Sequence, residues 1–222
     1  ASTTVTVNNV APTGVLLTLD AYAVREHDSV TLAGTFADPG LRDSHIVFVQ
    51  WGDGRASAVY PTRGERGFEV VHRYLDDDPT LTASDVYTIG VTVTDDDLGE
   101  GTASTTVTVN NVAPRLGAIV APVDPVQVNT VIAASAAFSD TGTVDTHTAT
   151  WYWDWGDWAL SGEPGPSSSG TVTEERGSGS VTGTHSYDLP GVYTLRLAVS
   201  DDDAGEDIEE YRYVVVYDPN DG

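Results

Sequence analysis

Cysteine, methionine and lysine are all absent from the 222 residues of this chain. Without cysteine there is no disulfide framework, no thiolate metal site and no thiol nucleophile. The compartment stays open on that ground alone. An extracellular domain without disulfides does need another brace, and a bound metal ion is the usual one. Without lysine, all ten basic residues are arginine; they stand against 34 acidic residues, a formal net charge of −24. A field of that sign repels nucleic acid and anionic lipid and draws cations. Solubility or a salty habitat accounts for dispersed acids, so cation binding concerns only those gathered in loops. No apolar run approaches the roughly 18 residues that span a bilayer, which argues against membrane insertion. No stretch carries a helical stripe. The chain opens abruptly in a strand-like Thr-Val run at residues 3–7. It reads as a piece of a longer chain, with any signal peptide or anchor outside it.

What is present is a repeat. Residues 1–12 read ASTTVTVNNVAP, and residues 103–114 repeat all twelve letters at an offset of 102. That period is domain-sized, too long for a solenoid or a propeller blade. Phe36-Ala37-Asp38 is answered by Phe138-Ser139-Asp140, and Trp51-Gly52-Asp53-Gly54 by Trp155-Gly156-Asp157-Trp158. The run Val91 through Asp95-Asp96-Asp97 is answered by Leu197 through Asp201-Asp202-Asp203. The expected organisation is therefore a final strand of a preceding unit at 1–9, units at 10–110 and 111–218, and a tail at 219–222. Inside the units the period is two: Val30, Leu32, Gly34 and Phe36 alternate with Thr31, Ala33 and Thr35, and Ile89, Val91 and Val93 with threonines and Gly90. Short Val/Thr strands broken by Gly, Pro and Asp predict an all-β chain of two tandem immunoglobulin-like β-sandwiches. The Gly/Ser-rich stretch 161–183 reads as a flexible hairpin or loop insertion, and Asp76-Asp77-Asp78-Pro79 as a second insertion, a solvated loop.

With these motifs in order, the chain resembles the polycystic kidney disease (PKD) domain family. Trp153-Asp154-Trp155-Gly156-Asp157 is similar to the family's WDFGDG strand-turn. It is supported by Asn9-x-x-Pro12 and Asn111-x-x-Pro114 at the entrances, by His72-x-Tyr74 and His185-x-Tyr187, and by the Val-Thr-Asp strand ends. The likeness covers nearly the whole chain. Two departures stand out. Val49-Gln50 replaces the usual Trp-Asp before Trp51. The second unit also spends two more residues between Asp145 and Gly156 than the first does between Asp43 and Gly52. The resemblance implies an immunoglobulin-like sandwich, a secreted or cell-surface location, and a role in spacing, adhesion or protein contact.

In such a sandwich the entrance, the loop after the Phe strand and the Asp triplet meet at one pole. Asn9, Asp38, Asp43 and Asp95 or Asp96 would converge there, and Asn111, Asp140, Asp145 and Asp201 or Asp202 one unit later. Five residues separate Asp38 from Asp43 and Asp140 from Asp145, so both loops keep one frame. Calcium takes six to eight hard oxygen donors on adaptable loops, which these segments supply. The resemblance also implies calcium at this pole, since related PKD domains use an entrance Asn and loop Asp residues there. The competing reading is that these Asp side chains only cap turns.

Other residues carry less. Trp51-Gly52-Asp53-Gly54 reads as a tight hairpin. Trp151, Trp153 and Trp155 fall on one strand face, with Trp158 beyond. Core packing is the first reading for them, and contact with a glycan or a surface protein the second. The five histidines recur in register as fold elements; no triad of ligands has zinc spacing. No nucleophile sits on a strained elbow, so no enzyme is expected. The leading function is a monomeric spacer or adhesion module, calcium-braced, whose partners are neighbouring domains of the same chain. The alternative is a carbohydrate- or protein-binding module built on the tryptophans.

Overall fold

The computed structural model of the chain describes residues 1–156 and 165–220. They form two units without a helix, so among them no helix is long and apolar enough to cross a membrane. The first unit holds Ala1–Tyr74 with Ser84–Asn110; the second holds Leu75–Ala83 with Asn111–Gly222. Strands of the first are β1 (Thr13–Leu19), β2 (Ala23–Arg25), β3 (Ser29–Ala37), β4 (His45–Gln50), β5 (Ala56–Val59), β6 (Gly67–Arg73), β7 (Ser84–Asp95) and β8 (Glu100–Asn110). Those of the second are β9 (Arg115–Leu116), β10 (Val126–Gln127), β11 (Ile132–Ser139), β12 (Thr148–Tyr152), β13 (Ser167–Ser169), β14 (Thr171–Glu175), β15 (Ser178–His185), β16 (Gly191–Ser200) and β17 (Glu206–Tyr217).

Each unit is a two-sheet sandwich. In the first, β1-β3-β6 packs against β2-β8-β7-β4-β5; in the second, β14-β15-β11-β9 packs against β10-β17-β16-β12-β13. All pairings are antiparallel except β2 on β8 and β10 on β17. The period of two places the core. On β7 the alternate residues Tyr87, Ile89, Val91 and Val93 are buried, and on β3 so are Val30, Leu32 and Phe36. At Gly34 on that face the Phe68 ring lies where a Cβ would stand, so the neighbouring aromatic fills the missing volume.

Identical letters take two conformations. Residues 103–110 are strand because β7 and β2 lie on either side of them. Their copy at residues 1–8 is exposed and forms no strand among the described residues. Val/Thr alternation supplies strand propensity, but the ladder needs a partner to take its N–H and C=O groups.

The structure corrects the sequence alignment at the tryptophans. Trp51 matches Trp153, not Trp155. Each donates its indole N–H to a serine hydroxyl at 2.9 Å, Ser57 for Trp51 and Ser168 for Trp153. Each stacks on a histidine, His72 or His185, and each carbonyl accepts the buried hydroxyl of Tyr74 or Tyr187. The offset is thus unchanged through the tryptophan. The second unit's extra length comes afterwards: Trp51 N–H reaches Arg55 across residues 52–54, whereas Trp153 N–H reaches Pro166. Asp157 and Trp158 lie outside the described residues. Within the stretch 161–183 the structure selects the hairpin over the loop, since residues 167–169, 171–175 and 178–183 are strand. There Val172 pairs with Val181 across a hairpin that turns at Arg176-Gly177, both at positive φ. Small Ser, Thr and Gly residues hide such strands from a hydrophobic pattern.

Candidate metal centre

The inward-facing period of three strands runs on beyond the apolar core at one pole of each unit, and there it meets polar side chains. After Val30, Leu32, Gly34 and Phe36 the next inward position is Asp38; after Ile89, Val91 and Val93 it is Asp95. Ahead of Val47 and Val49 on β4 stands His45. The second unit repeats this with Asp140, Asp201 and His147. Strand geometry therefore aims these groups at one another.

The entrance asparagines tie in through their amides. Asn9 Nδ2 donates to Asp95 at 2.8 Å, and Asn111 Nδ2 donates to Asp201 at 2.9 Å. The other oxygen of Asp95 accepts the backbone N–H groups of Asp97 and Gly99; that of Asp201 accepts those of Asp203 and Gly205. A side chain at Gly205 would collide with the Asp201 carboxylate, which explains the glycine. Asp38 and Asp140 each receive a ring N–H, from His45 at 2.7 Å and His147 at 3.0 Å, and each caps a backbone N–H two residues on. Asp96 and Asp202 accept the backbone N–H of Ser44 and Thr146.

Asp43 and Asp145 differ from the rest. Carboxylate oxygens of Asp38, Asp43 and Asp95 lie within 4.8 Å of one another, as do those of Asp140, Asp145 and Asp201. Asp145 is 7% exposed, and neither of its oxygens has a hydrogen-bond partner. Asn111 Oδ1 is likewise buried without a partner. Burial first, then repulsion from Asp140, Asp76, Asp202 and Asp201, pushes the Asp145 carboxyl up to about 7. Burial and then Asp38, Asp96, Asp95 and Asp97 raise Asp43 in the same way. Asp95 is also desolvated, but the bonds from Asn9, Gly99 and Asp97 prevail and hold it below the ordinary range. His147 is desolvated yet raised, because Asp140 and Glu174 face its two nitrogens.

The second unit gathers more than the sequence suggested. Asp203 is 2% exposed and Asp77 fully buried, although residues 76–78 read as a solvated loop. Glu174, from the stretch 161–183, supplies the second partner of His147 at 2.7 Å. Asp203 closes the Asp triplet already read at the pole, but nothing in the spacing marks Asp77 or Glu174, because the segments that carry them are distant in sequence from it.

Among the described residues the tryptophans give no exposed platform. Trp151 and Trp153 are buried and stack in the core at 5.3 Å between rings. Strand β12 ends at Tyr152, so Trp155 leaves their face. It packs on Tyr152, with the Arg196 guanidinium 3.9 Å above its ring. Asp53 bonds His72 at 2.8 Å and caps Arg55, a turn role.

The PKD domain family model matches residues 111–209. The solved PKD domain of an M14-like peptidase from a Thermoplasmatales archaeon is 17% identical, aligned over 47% of this chain and 100% of its own, with a TM-score of 0.39. The adhesin InvE of Yersinia pseudotuberculosis is 13% identical over 90% of this chain and 58% of its own, TM-score 0.43. An amphioxus IgVJ-C2 molecule is 12% identical over 87% and 99%, TM-score 0.43. No curated protein matches the sequence.

Proposed function

We propose that this tandem is a non-catalytic extracellular module braced by calcium, because the PKD domain family model matches residues 111–209 and the first unit repeats the second's strand order and acidic pole. It serves as a monomeric spacer or adhesion segment of a larger secreted or surface protein, and its partners are the neighbouring domains of the same chain. The observation that carries the calcium reading is Asp145: a buried carboxylate with both oxygens unpartnered, beside Asp140, Asp201 and the unpartnered oxygen of Asn111. Burying such a carboxylate without compensation costs several kcal/mol.

The donor set fits a hard cation. It is all oxygen, carried on loops, with the histidines already committed to carboxylates. Asn111, Asp140, Asp145, Asp201 and Asp202 would hold the ion in the second unit, and Asn9, Asp38, Asp43, Asp95 and Asp96 in the first. Bound calcium would supply positive charge directly at these carboxylates. Among the described residues no arginine pairs with any of these carboxylates. This chain's own contribution is to hold the entrance asparagine, through its amide, against the Asp triplet, so that the start of each sandwich is fixed to two of its loops. Extracellular modules of this sort bind with dissociation constants of roughly 10⁻⁴ to 10⁻³ M, filled outside a cell and empty within.

Core burial of Trp151 and Trp153 weighs against the glycan-binding alternative. Isothermal titration with calcium, and with magnesium as control, tests the proposal. Calcium-specific heat that Asp145→Asn weakens is the expected result. Absence of heat at millimolar calcium, or equal binding by the variant, refutes it.

A further inference from the structure

We propose that the second unit holds an additional cation position beside the first, formed by Asp76, Asp77 and Asp203. It rests on the reading of the pole as a calcium site and extends it to residues outside that ligand set.

Leu75–Ala83 counts with the second unit by its contacts, and the backbone N–H of Asn111 bonds the carbonyl of Ala83 at 3.2 Å. This segment brings Asp76 and Asp77 to Asp203, with carboxylate oxygens of all three within 4.8 Å of one another. Asp203 is 2% exposed, and its Oδ1 is buried without a hydrogen-bond partner. That orphaned oxygen, in a residue with almost no access to water, is what distinguishes the cluster from a solvated patch of acids.

A single ion at Asp140, Asp145 and Asp201 leaves the buried Oδ1 of Asp203 without a partner. Asp145, Asp202 and Asp203 form a third group within the same 4.8 Å limit, so carboxylates run continuously from one position to the next. His147 adds little here, since its nitrogens face Asp140 and Glu174. An all-oxygen, carboxylate-rich set on two loops suits calcium better than magnesium, which demands near-octahedral geometry and keeps its waters.

The first unit is an internal control. It has the same Asp triplet, but Asp97, the counterpart of Asp203, is exposed. Around that triplet the metal-competent group is Asp38, Asp43 and Asp95, and Asp97 has no part in it. The additional position thus follows from the inserted segment, and not from the triplet alone.

Counting bound ions tests this. The full chain is dialysed to equilibrium against radioactive calcium and compared with an Asp76→Asn/Asp77→Asn double variant, with Asp203→Asn, and with Asp78→Asn, an exposed position that matches the charge change of Asp203→Asn. Hydrogen exchange of the 75–83 amides is read with and without calcium. The wild type and Asp78→Asn are expected to hold one calcium ion more than the double variant and Asp203→Asn, and calcium should slow exchange at 75–83 only where that ion is held. Equal ion counts in the wild type and the double variant, with binding still sensitive to Asp145→Asn, overturn the additional position and leave the first intact. No calcium on any of them overturns both.

Discussion

In calcium-free protein, stability should fall as pH rises from about 5 to about 7, and Asp145 should be a main cause. Its carboxyl stands near 7 in the folded chain against a reference value of 3.8. Between those values the native state holds a proton that the unfolded chain has released. Stability is therefore greatest below the unfolded value and is lost as pH climbs through the folded one, at about 1.4 kcal/mol per pH unit. Over two units that amounts to about 2 kcal/mol, on the order of 10 °C in the midpoint of a domain of this size. Asp203, raised to about 6 chiefly by burial, acts in the same direction, as does His147, whose raised value makes its ion pairs fade with rising pH. The general repulsion of a chain at −24 does so too. Thermal unfolding in chelator, wild type against Asp145→Asn, isolates the one carboxyl. The variant's slope should be shallower by about 1.4 kcal/mol per pH unit, with the share of Asp203 and His147 left in place, and saturating calcium should flatten the wild-type slope. A wild-type midpoint that is flat or rises over this range, or an equal slope in both proteins, refutes the reasoning.

Three other outcomes follow from the same contacts. Tyr187→Phe removes the hydroxyl that bonds the buried Trp153 carbonyl and should cost about 1 to 3 kcal/mol in denaturant unfolding; Tyr74→Phe should do the same in the first unit. Trp51→Ala empties the centre of the first core and should cost about 3 to 5 kcal/mol, with loss of that unit's unfolding transition as the extreme. Gly205→Ala drives a methyl group into Asp201 and toward the Ala113 backbone; a cost of about 1 to 3 kcal/mol is expected, together with weaker calcium binding by titration.

The sandwich was legible because each strand pattern of Val30 to Phe36 or Ile89 to Val93 is a core face with period two. The pole was legible for the same reason, since Asp38 and Asp95 continue that period past the last apolar residue. What the sequence concealed depends on distant segments. Residues 76–78 carry loop composition, and their burial follows from packing with the second unit. Glu174 lies on β14, where Val172 is the one apolar residue, so its approach to His147 has no local signature. The tryptophan register failed where the longer hairpin follows Trp153: matching letters favoured Trp155-Gly156, while matching hydrogen bonds select Trp153. A repeated string likewise fixes a strand only where a neighbour completes its ladder, as at residues 103–110.

The most direct test of the calcium brace is the thermal unfolding midpoint in calcium, in chelator and in magnesium at neutral pH. At a calcium concentration 100-fold above its dissociation constant, native-state binding should add about 2.7 kcal/mol per site. A calcium-specific rise of the midpoint, diminished in Asp38→Ala and Asp140→Ala, is the expected result. Midpoints that coincide in calcium and chelator would contradict the account and leave the acidic loops to turn capping and solvation.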